Sequence, residues 1–222
     1  MTLRNWYCVV VMLICALLPS RVCFGFDDGD FQYWSAAKAR FDINKDWYGT
    51  VEEEFRLGDD AEKLYYRRMD LGVVTSLADW LDVGFNFRHI SERSEGNDWK
   101  WENRPHLNLS FKWKLGDLAL SDRSRFEYRD KYNAKDMWRY RNKFTVKFPW
   151  ELTPLKLKPY VAEEIFIDLD QSGINRNRFY SGFSLKLSKN LLGNIYYLWQ
   201  ASSSEHQWND IHVLGTQLEF CF

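Results

Sequence analysis

His89 and Ser91 stand two residues apart, and Asn103 follows Ser91 by twelve. A serine hydroxyl attacks a carbonyl when a base takes its proton, and an imidazole is held for that task by a third group. The three residue types give Ser91 as nucleophile, His89 as base and Asn103 as orienting group, and the chemistry is acyl transfer from an ester. A plainer reading competes with it. Ser91 also opens the polar run Ser-Glu-Arg-Ser-Glu-Gly-Asn, with His89 beside it at a strand end.

A second chemistry lies in the basic residues. Arg104 and His106, then Arg123, Arg125, Glu127 and Arg129, then Arg139, Arg141 and Lys143 recur at every second position of their segments. Such side chains ringing a narrow lumen select negative solutes. The same belt met by carboxylates makes a packed, closed interior, and Glu52, Glu54, Asp70, Asp82, Glu102 and Glu164 are available for that. A specific acidic ligand, such as a lipid head group or a sugar acid, is a third reading. The sequence has no glycine loop for phosphate, no GxSxG turn and no Cys/His cluster at metal-ligand spacing, so neither a metal nor a cofactor is expected.

These residues need elements to position them. From Trp99 to Leu115 the chain alternates: Trp99, Trp101, Leu107, Leu109, Phe111, Trp113 and Leu115 share one parity, and Lys100, Glu102, Arg104, His106, Asn108, Ser110, Lys112 and Lys114 the other. A β-strand sends successive side chains to opposite faces. An apolar outer face with a charged inner one fits a strand that crosses a bilayer as part of a barrel. Charge on a lipid face costs about 2–4 kcal/mol for Arg or Lys at the midplane, which assigns the basic parity to the lumen. Glu53, Arg67, Asp122 and Glu163 break the pattern on the outer parity.

Eleven alternating segments are legible: 31–43, 46–57, 63–76, 79–91, 98–115, 118–130, 137–148, 153–168, 174–188, 191–202 and 207–222. Short connections, including the corner 149–152, alternate with longer polar ones, as in an outer-membrane barrel. Bacterial single-chain barrels have even strand numbers. The fold expected is therefore all-β, a closed antiparallel transmembrane barrel of about twelve strands, with ten as the alternative. Closing a hairpin at Gly116-Asp117 sets His106 opposite Glu127 and Arg104 opposite Arg129. A similar register for the next pair sets Glu127 opposite Arg141 and Arg129 opposite Arg139. The preceding hairpin sets Trp101, rather than Asn103, nearest His89.

Composition agrees with a strand-built protein. Aromatics make up 18% of 222 residues, with 11 Trp, while mean hydropathy is only −0.49. Residues 1–25 read as a signal peptide: Arg4, the apolar run Cys8–Leu18, Pro19, then small residues Cys23 and Gly25 before Phe26. Residues 26–222 form the barrel. Three of the four cysteines lie in the leader, so Cys221 has no partner for an internal disulfide. The net charge of −1 falls to −3 without the leader, which takes Arg4 and Arg21 and no acid. With aromatics and arginines on opposite faces, nucleic acid is not an expected partner. Trp34, Trp47, Trp99, Trp101, Trp138 and Trp208 are placed at interfacial girdles. Leu214, Leu218, Phe220 and the terminal Phe222 share a parity, the ending by which barrel assembly machinery reads an outer-membrane strand. The expected setting is the outer membrane, with its lipid as partner and the protein a monomer.

Two resemblances add to this. The stretches Asp30-Phe31-Gln32-Tyr33-Trp34, Leu64-Tyr65-Tyr66-Arg67-Arg68, Trp101-Glu102-Asn103-Arg104-Pro105, Asp122-Arg123-Ser124-Arg125-Phe126-Glu127-Tyr128-Arg129 and Lys158-Pro159-Tyr160-Val161-Ala162-Glu163-Glu164 resemble, in that order, a family of uncharacterised bacterial outer-membrane β-barrel proteins, a domain of unknown function. The likeness implies a barrel in the outer membrane and brings no catalytic residues. The spacing of His89, Ser91 and Asn103 resembles that of outer-membrane phospholipases and lipid A deacylases, which place H-x-S beside Asn or Glu on the neighbouring strand. The function expected is a structural barrel or a narrow pore for small solutes, with anionic solutes as one class that the basic belt would admit. A lipid hydrolase using His89 and Ser91 is one alternative, and a secreted soluble β-sandwich that binds sugars is the other.

Overall fold

A computed structural model describes residues 28–93, 98–170, 173–204 and 207–222. The signal-peptide reading of residues 1–25 lies outside the described residues, as do residues 94–97 of the polar run. Eleven strands follow one another: β1 Asp30–Asp42, β2 Trp47–Gly58, β3 Lys63–Ala78, β4 Leu81–Arg93, β5 Trp99–Leu115, β6 Leu118–Lys131, β7 Met137–Lys147, β8 Lys158–Asp168, β9 Ile174–Lys186, β10 Leu191–Ser204 and β11 Gln207–Cys221. Sequence neighbours pair antiparallel, and β1 closes the barrel by pairing parallel with β11.

The expectation of twelve strands, all antiparallel, is corrected to eleven with one parallel seam. The even-number rule holds when both chain ends leave from the same rim. Here Asp30 starts at one rim and Phe222 ends at the other, so the first and last strands run the same way. The eleven segments legible in the sequence correspond one to one with the strands.

The seam is held by more than its ladder. The Tyr33 and Thr216 hydroxyls bond at 2.7 Å, and Lys38 pairs with Glu219 at 2.8 Å. Phe222 N–H donates to the Arg40 carbonyl at 2.9 Å, Asp42 N–H donates to the Phe222 carbonyl at 3.1 Å, and the Phe222 ring stacks on Phe41 at 5.3 Å between centroids. Deleting Phe222 removes two backbone hydrogen bonds and one aromatic pair. A loss of about 2 kcal/mol is expected, read as a lower denaturant midpoint with an unchanged slope.

Two boundaries differ from the sequence reading. The corner expected at 149–152 is a longer excursion, because β8 begins only at Lys158. Leu152 and Leu157 bridge there as a small hairpin of their own. At the Asp30 rim the connection 59–62 is as short as 43–46 at the opposite rim, so the alternation of short and long connections is weaker than expected.

Parity sorts the side chains. Met69, Leu71 and Val73 of β3, Phe85 and Phe87 of β4, and Ile195, Tyr197 and Trp199 of β10 are exposed outward, every other strand but β8 adds exposed apolar residues, and β8 has Val161, Ile165 and Ile167 half-buried on that side. Trp99, Trp101, Trp138, Trp199 and Trp208 lie toward the Asp30 rim, and Trp47, Trp80, Trp113 and Trp150 toward the Phe222 rim. Trp34 is the exception to the girdle expectation. It is 2% exposed, points into the lumen and donates its indole N–H to Gln32 at 2.9 Å. Its parity is that of Asp30 and Gln32, both buried. Among the described residues no helix is long and apolar enough to cross a membrane, which says nothing of strands.

Candidate functional site

The lumen has two halves. Trp34, Ala162, Tyr180, Leu198 and Val213 form a buried apolar cluster on the side of β1 and β8–β11. Charged side chains fill the side of β2–β8. Guanidinium groups sit over aromatic rings: Arg56 is 3.6 Å from the Trp34 ring and Arg141 is 4.4 Å from Phe166. The Lys143 ammonium is 3.6 Å from the Tyr180 ring. A cation over an aromatic face is attracted by the ring quadrupole, more strongly once water is gone. The apolar half could have been read from β10, whose inward residues Tyr196 and Leu198 carry no charge.

The nine residues of the predicted belt, Arg104, His106, Arg123, Arg125, Glu127, Arg129, Arg139, Arg141 and Lys143, all have the inward parity. They are drawn together around carboxylates. Glu127, 0% exposed, accepts from Arg141 at 2.8 Å and Arg125 at 3.4 Å, with Arg104 at 3.8 Å. Glu164 accepts from Arg141 and Arg123 at 2.8 and 2.9 Å and from the Tyr180 hydroxyl at 3.0 Å. Glu102 holds both Arg104 and Arg129, the shortest contacts being 2.6 and 2.5 Å. Asp168 pairs with Arg139, and Asp70 with Arg88 at 2.7 Å. His106 is buried with its Nδ1 3.1 Å from the Arg104 carbonyl. Sequence reasoning did not single out Arg56, Arg68, Arg88, Arg176, Arg178 or Asp168, although parity alone assigns each to the lumen.

The expected register of β5 against β6 is met at His106 and Glu127. That of β6 against β7 is corrected by two residues: Arg125 faces Arg141, Glu127 faces Arg139, and Arg129 faces Met137. The connection sets this slip. Asp136 accepts from the Lys131 N–H at 3.2 Å and from the Tyr128 hydroxyl at 2.8 Å, which ties the loop down on β6. Arg141 still reaches Glu127, now along the diagonal.

A cavity of about 250 Å³ remains between the halves. Twelve basic side chains border it against four carboxylates, Glu52, Glu54, Glu92 and Glu164. Asp70, Glu102, Glu127 and Asp168 stand behind these bases, and cations still outnumber acids. Several buried guanidinium nitrogens, among them Arg68 Nη1, Arg123 Nε and Arg141 Nε, have no hydrogen-bond acceptor. Arg123 and Lys143 also line a wider recess of about 700 Å³ toward the Phe222 rim, with Lys38, Lys112, Lys114 and Lys147 around it.

The second predicted constellation lies outside the barrel wall. The expectation that Trp101 sits nearest His89 is corrected: Asn103 faces His89 and Trp101 faces Ser91. Strands β4 and β5 extend to Arg93 and from Trp99, which moves the pairing by two residues. His89 Nδ1 and Asn103 Oδ1 are 2.8 Å apart. Asn103 Nδ2 donates to Asp130 of β6 at 3.4 Å. Other polar breaks on this face are also partnered: Asp122 accepts from Asn142 at 2.8 Å, Glu163 accepts from Asn177 at 2.9 Å, and Arg67 lies 4.9 Å from the Trp99 ring. Among the described residues no group of His, Cys, Asp and Glu is arranged to hold a metal ion.

A family model described as a protein of unknown function, DUF2490, matches residues 31–210. The chain belongs to this family. No curated protein and no solved structure matches it. The DUF2490 match runs from the start of β1 into β11, so it takes in both the lumenal network and the His89–Asn103 pair.

Proposed function

We propose that this DUF2490 chain is an outer-membrane β-barrel whose lumen is closed to free passage by crossing ion pairs and holds a small, multiply charged anion. One observation carries the reading: twelve basic side chains border the cavity against four carboxylates, and several of the buried guanidinium nitrogens beside it have no hydrogen-bond acceptor. Arginine presents its donors in a fixed fork that suits phosphate, sulfate and carboxylate oxygens. An anion there offsets the mutual repulsion of the arginines. The basic recess at the Phe222 rim gives it a route in. The outward apolar parity and the two tryptophan rings support a bilayer setting. A monomer suffices because the sheet closes on itself.

The test is planar-bilayer conductance of refolded residues 26–222, beside a heat-modifiability gel that shows the barrel has formed. Thermal unfolding is then followed against sulfate and phosphate at constant ionic strength. A folded barrel without sustained steps, whose melting temperature rises with divalent anion, is expected. An anion at a hundred times its Kd adds about 2.7 kcal/mol. Steady anion-selective steps that weaken on neutralising Arg125 and Arg141 replace this reading with a pore. No anion effect on a non-conducting barrel leaves a purely structural interior.

A further inference from the structure

We propose that the outer wall carries a serine acyl-hydrolase site, with Ser91 as nucleophile and His89 as base, acting on the ester bonds of membrane lipids. The site is separate from the lumen and depends on the preceding reading only for its access to lipid.

An ionised carboxylate only accepts hydrogen bonds, so the Asn103 atom facing Asp130 is the amide nitrogen. That fixes the amide and turns Asn103 Oδ1 toward His89. An amide oxygen also only accepts, so His89 Nδ1 carries the hydrogen. The lone pair is left on Nε2, the tautomer a general base needs. The chain Asp130, Asn103, His89 runs across three adjacent strands, β6, β5 and β4, and each link is set by the type of atom before it.

Ser91 is on the same outward face of β4 as His89, about 6.6 Å along the strand by ordinary β geometry. No hydrogen bond joins the two among the described residues. Such contacts are often long before substrate binds and close in the complex. Strand register places Arg67 of β3 on one side of Ser91 and Trp101 of β5 on the other. Arg67 is an exposed cation 4.9 Å from the Trp99 ring. It is placed to meet a lipid phosphate or the oxyanion that forms when Ser91 attacks. Trp101 is exposed beside it and packs on Tyr132 at 5.7 Å, an apolar floor for an acyl chain. His89 is exposed and Asn103 and Asp130 are half-buried, and on a face that meets lipid such a polar row carries a desolvation cost.

The reaction balances without a further reagent. Ser91 Oγ bonds to the ester carbonyl carbon while its proton passes to His89 Nε2. The carbon–oxygen bond to the alcohol breaks, and that oxygen takes the proton from His89. Water then repeats the sequence on the acyl-serine, releasing the fatty acid and restoring Ser91.

The test uses the full-length refolded protein in mixed micelles of detergent and phosphatidylethanolamine, with folding checked by heat modifiability. Fatty-acid release is measured, and in parallel a fluorophosphonate probe is added and its site located by mass spectrometry. Wild type is expected to release fatty acid and to carry the probe on Ser91. Ser91→Ala and His89→Ala are expected to lose about a thousandfold or more. Asn103→Ala and Asp130→Asn alter positioning residues. They are expected to lower kcat by up to about a hundredfold with little change in KM. Ser181→Ala, an outward serine on β9, is the control that should retain activity. A folded wild-type barrel that neither releases fatty acid nor takes the probe overturns the proposal, as does release unaffected by Ser91→Ala.

Discussion

Glu164→Gln is expected to lower barrel stability by about 3–5 kcal/mol, the cost of removing one partner from a buried ion pair. Glu164 is 1% exposed and receives Arg123, Arg141 and the Tyr180 hydroxyl, with Arg178 at 3.7 Å. Glutamine keeps the shape and removes the charge, so the arginines stay inside without their counter-ion. The control is the adjacent residue. Glu163 faces outward, is exposed and touches Asn177, so Glu163→Gln is expected to cost less than 1 kcal/mol. Both are measured by tryptophan fluorescence in a denaturant series. Adding Arg141→Met to Glu164→Gln should recover part of the loss, because one stranded cation goes with it. Sulfate should stabilise Glu164→Gln more than wild type, since the lumen has gained positive charge. Equal midpoints for the two glutamine variants mean a water-filled, screened lumen and refute the closed interior.

The same pair of residues shows what a sequence can tell. A period of two is local, so the side of the wall each residue faces is legible strand by strand, and Glu163 and Glu164 separate at once. Register is less local, because it passes through connections. Between β6 and β7 the side chain of Asp136 sets it, and alternation carries no record of that contact. Between β4 and β5 the same kind of slip hid the pairing of His89 with Asn103, although both residues were in view. The parallel seam is less local still. It follows from the total of strands and from the rim at which Asp30 begins, and no segment reports either. Trp34 was misplaced for a different reason: its residue type suggested a girdle while its parity, shared with Asp30 and Gln32, pointed inward.

The two candidate sites share a skeleton. Each outward residue of the polar row stands between inward residues that are locked. Arg88, before His89, pairs with Asp70. Glu102 and Arg104, on either side of Asn103, bond to each other, and Glu102 also accepts from Arg129. Arg129 in turn precedes Asp130. A side chain can be aimed only as well as its strand is held, and ion pairs on the inner face hold these three strands. The closed lumen proposed above is then compatible with the proposed outer-wall site, since the lumenal ion pairs also hold the strands that present it.

Gly215→Ala is expected to be destabilising by about 3 kcal/mol, at the upper end of ordinary overpacking. Tyr196 of β10 lies between two glycines in register, Gly182 on β9 and Gly215 on β11. Its ring lies directly over Gly215, where a Cβ would come within 2.0 Å of Cζ and 2.2 Å of Cε2. A Cβ at Gly182 would likewise meet the Ile195 carbonyl oxygen at 2.5 Å and Tyr196 Cβ at 2.6 Å, so both glycines leave room for Tyr196. The ring packs on Tyr180 at 5.7 Å, and Tyr180 bonds to Glu164, so displacing it disturbs both halves of the lumen. An aromatic ring laid over a strand glycine covers backbone that would otherwise lack packing, which is why glycine suits this site in extended conformation. The decisive measurement is a double-mutant cycle. Tyr196→Ala leaves a cavity and is costly alone, but it removes the atoms that Gly215→Ala strikes. The double variant should therefore be more stable than the two single losses predict, by about 1–3 kcal/mol. Simple additivity would mean that the ring does not lie over Gly215, and with it would fall the packing that seats Tyr180 against Glu164.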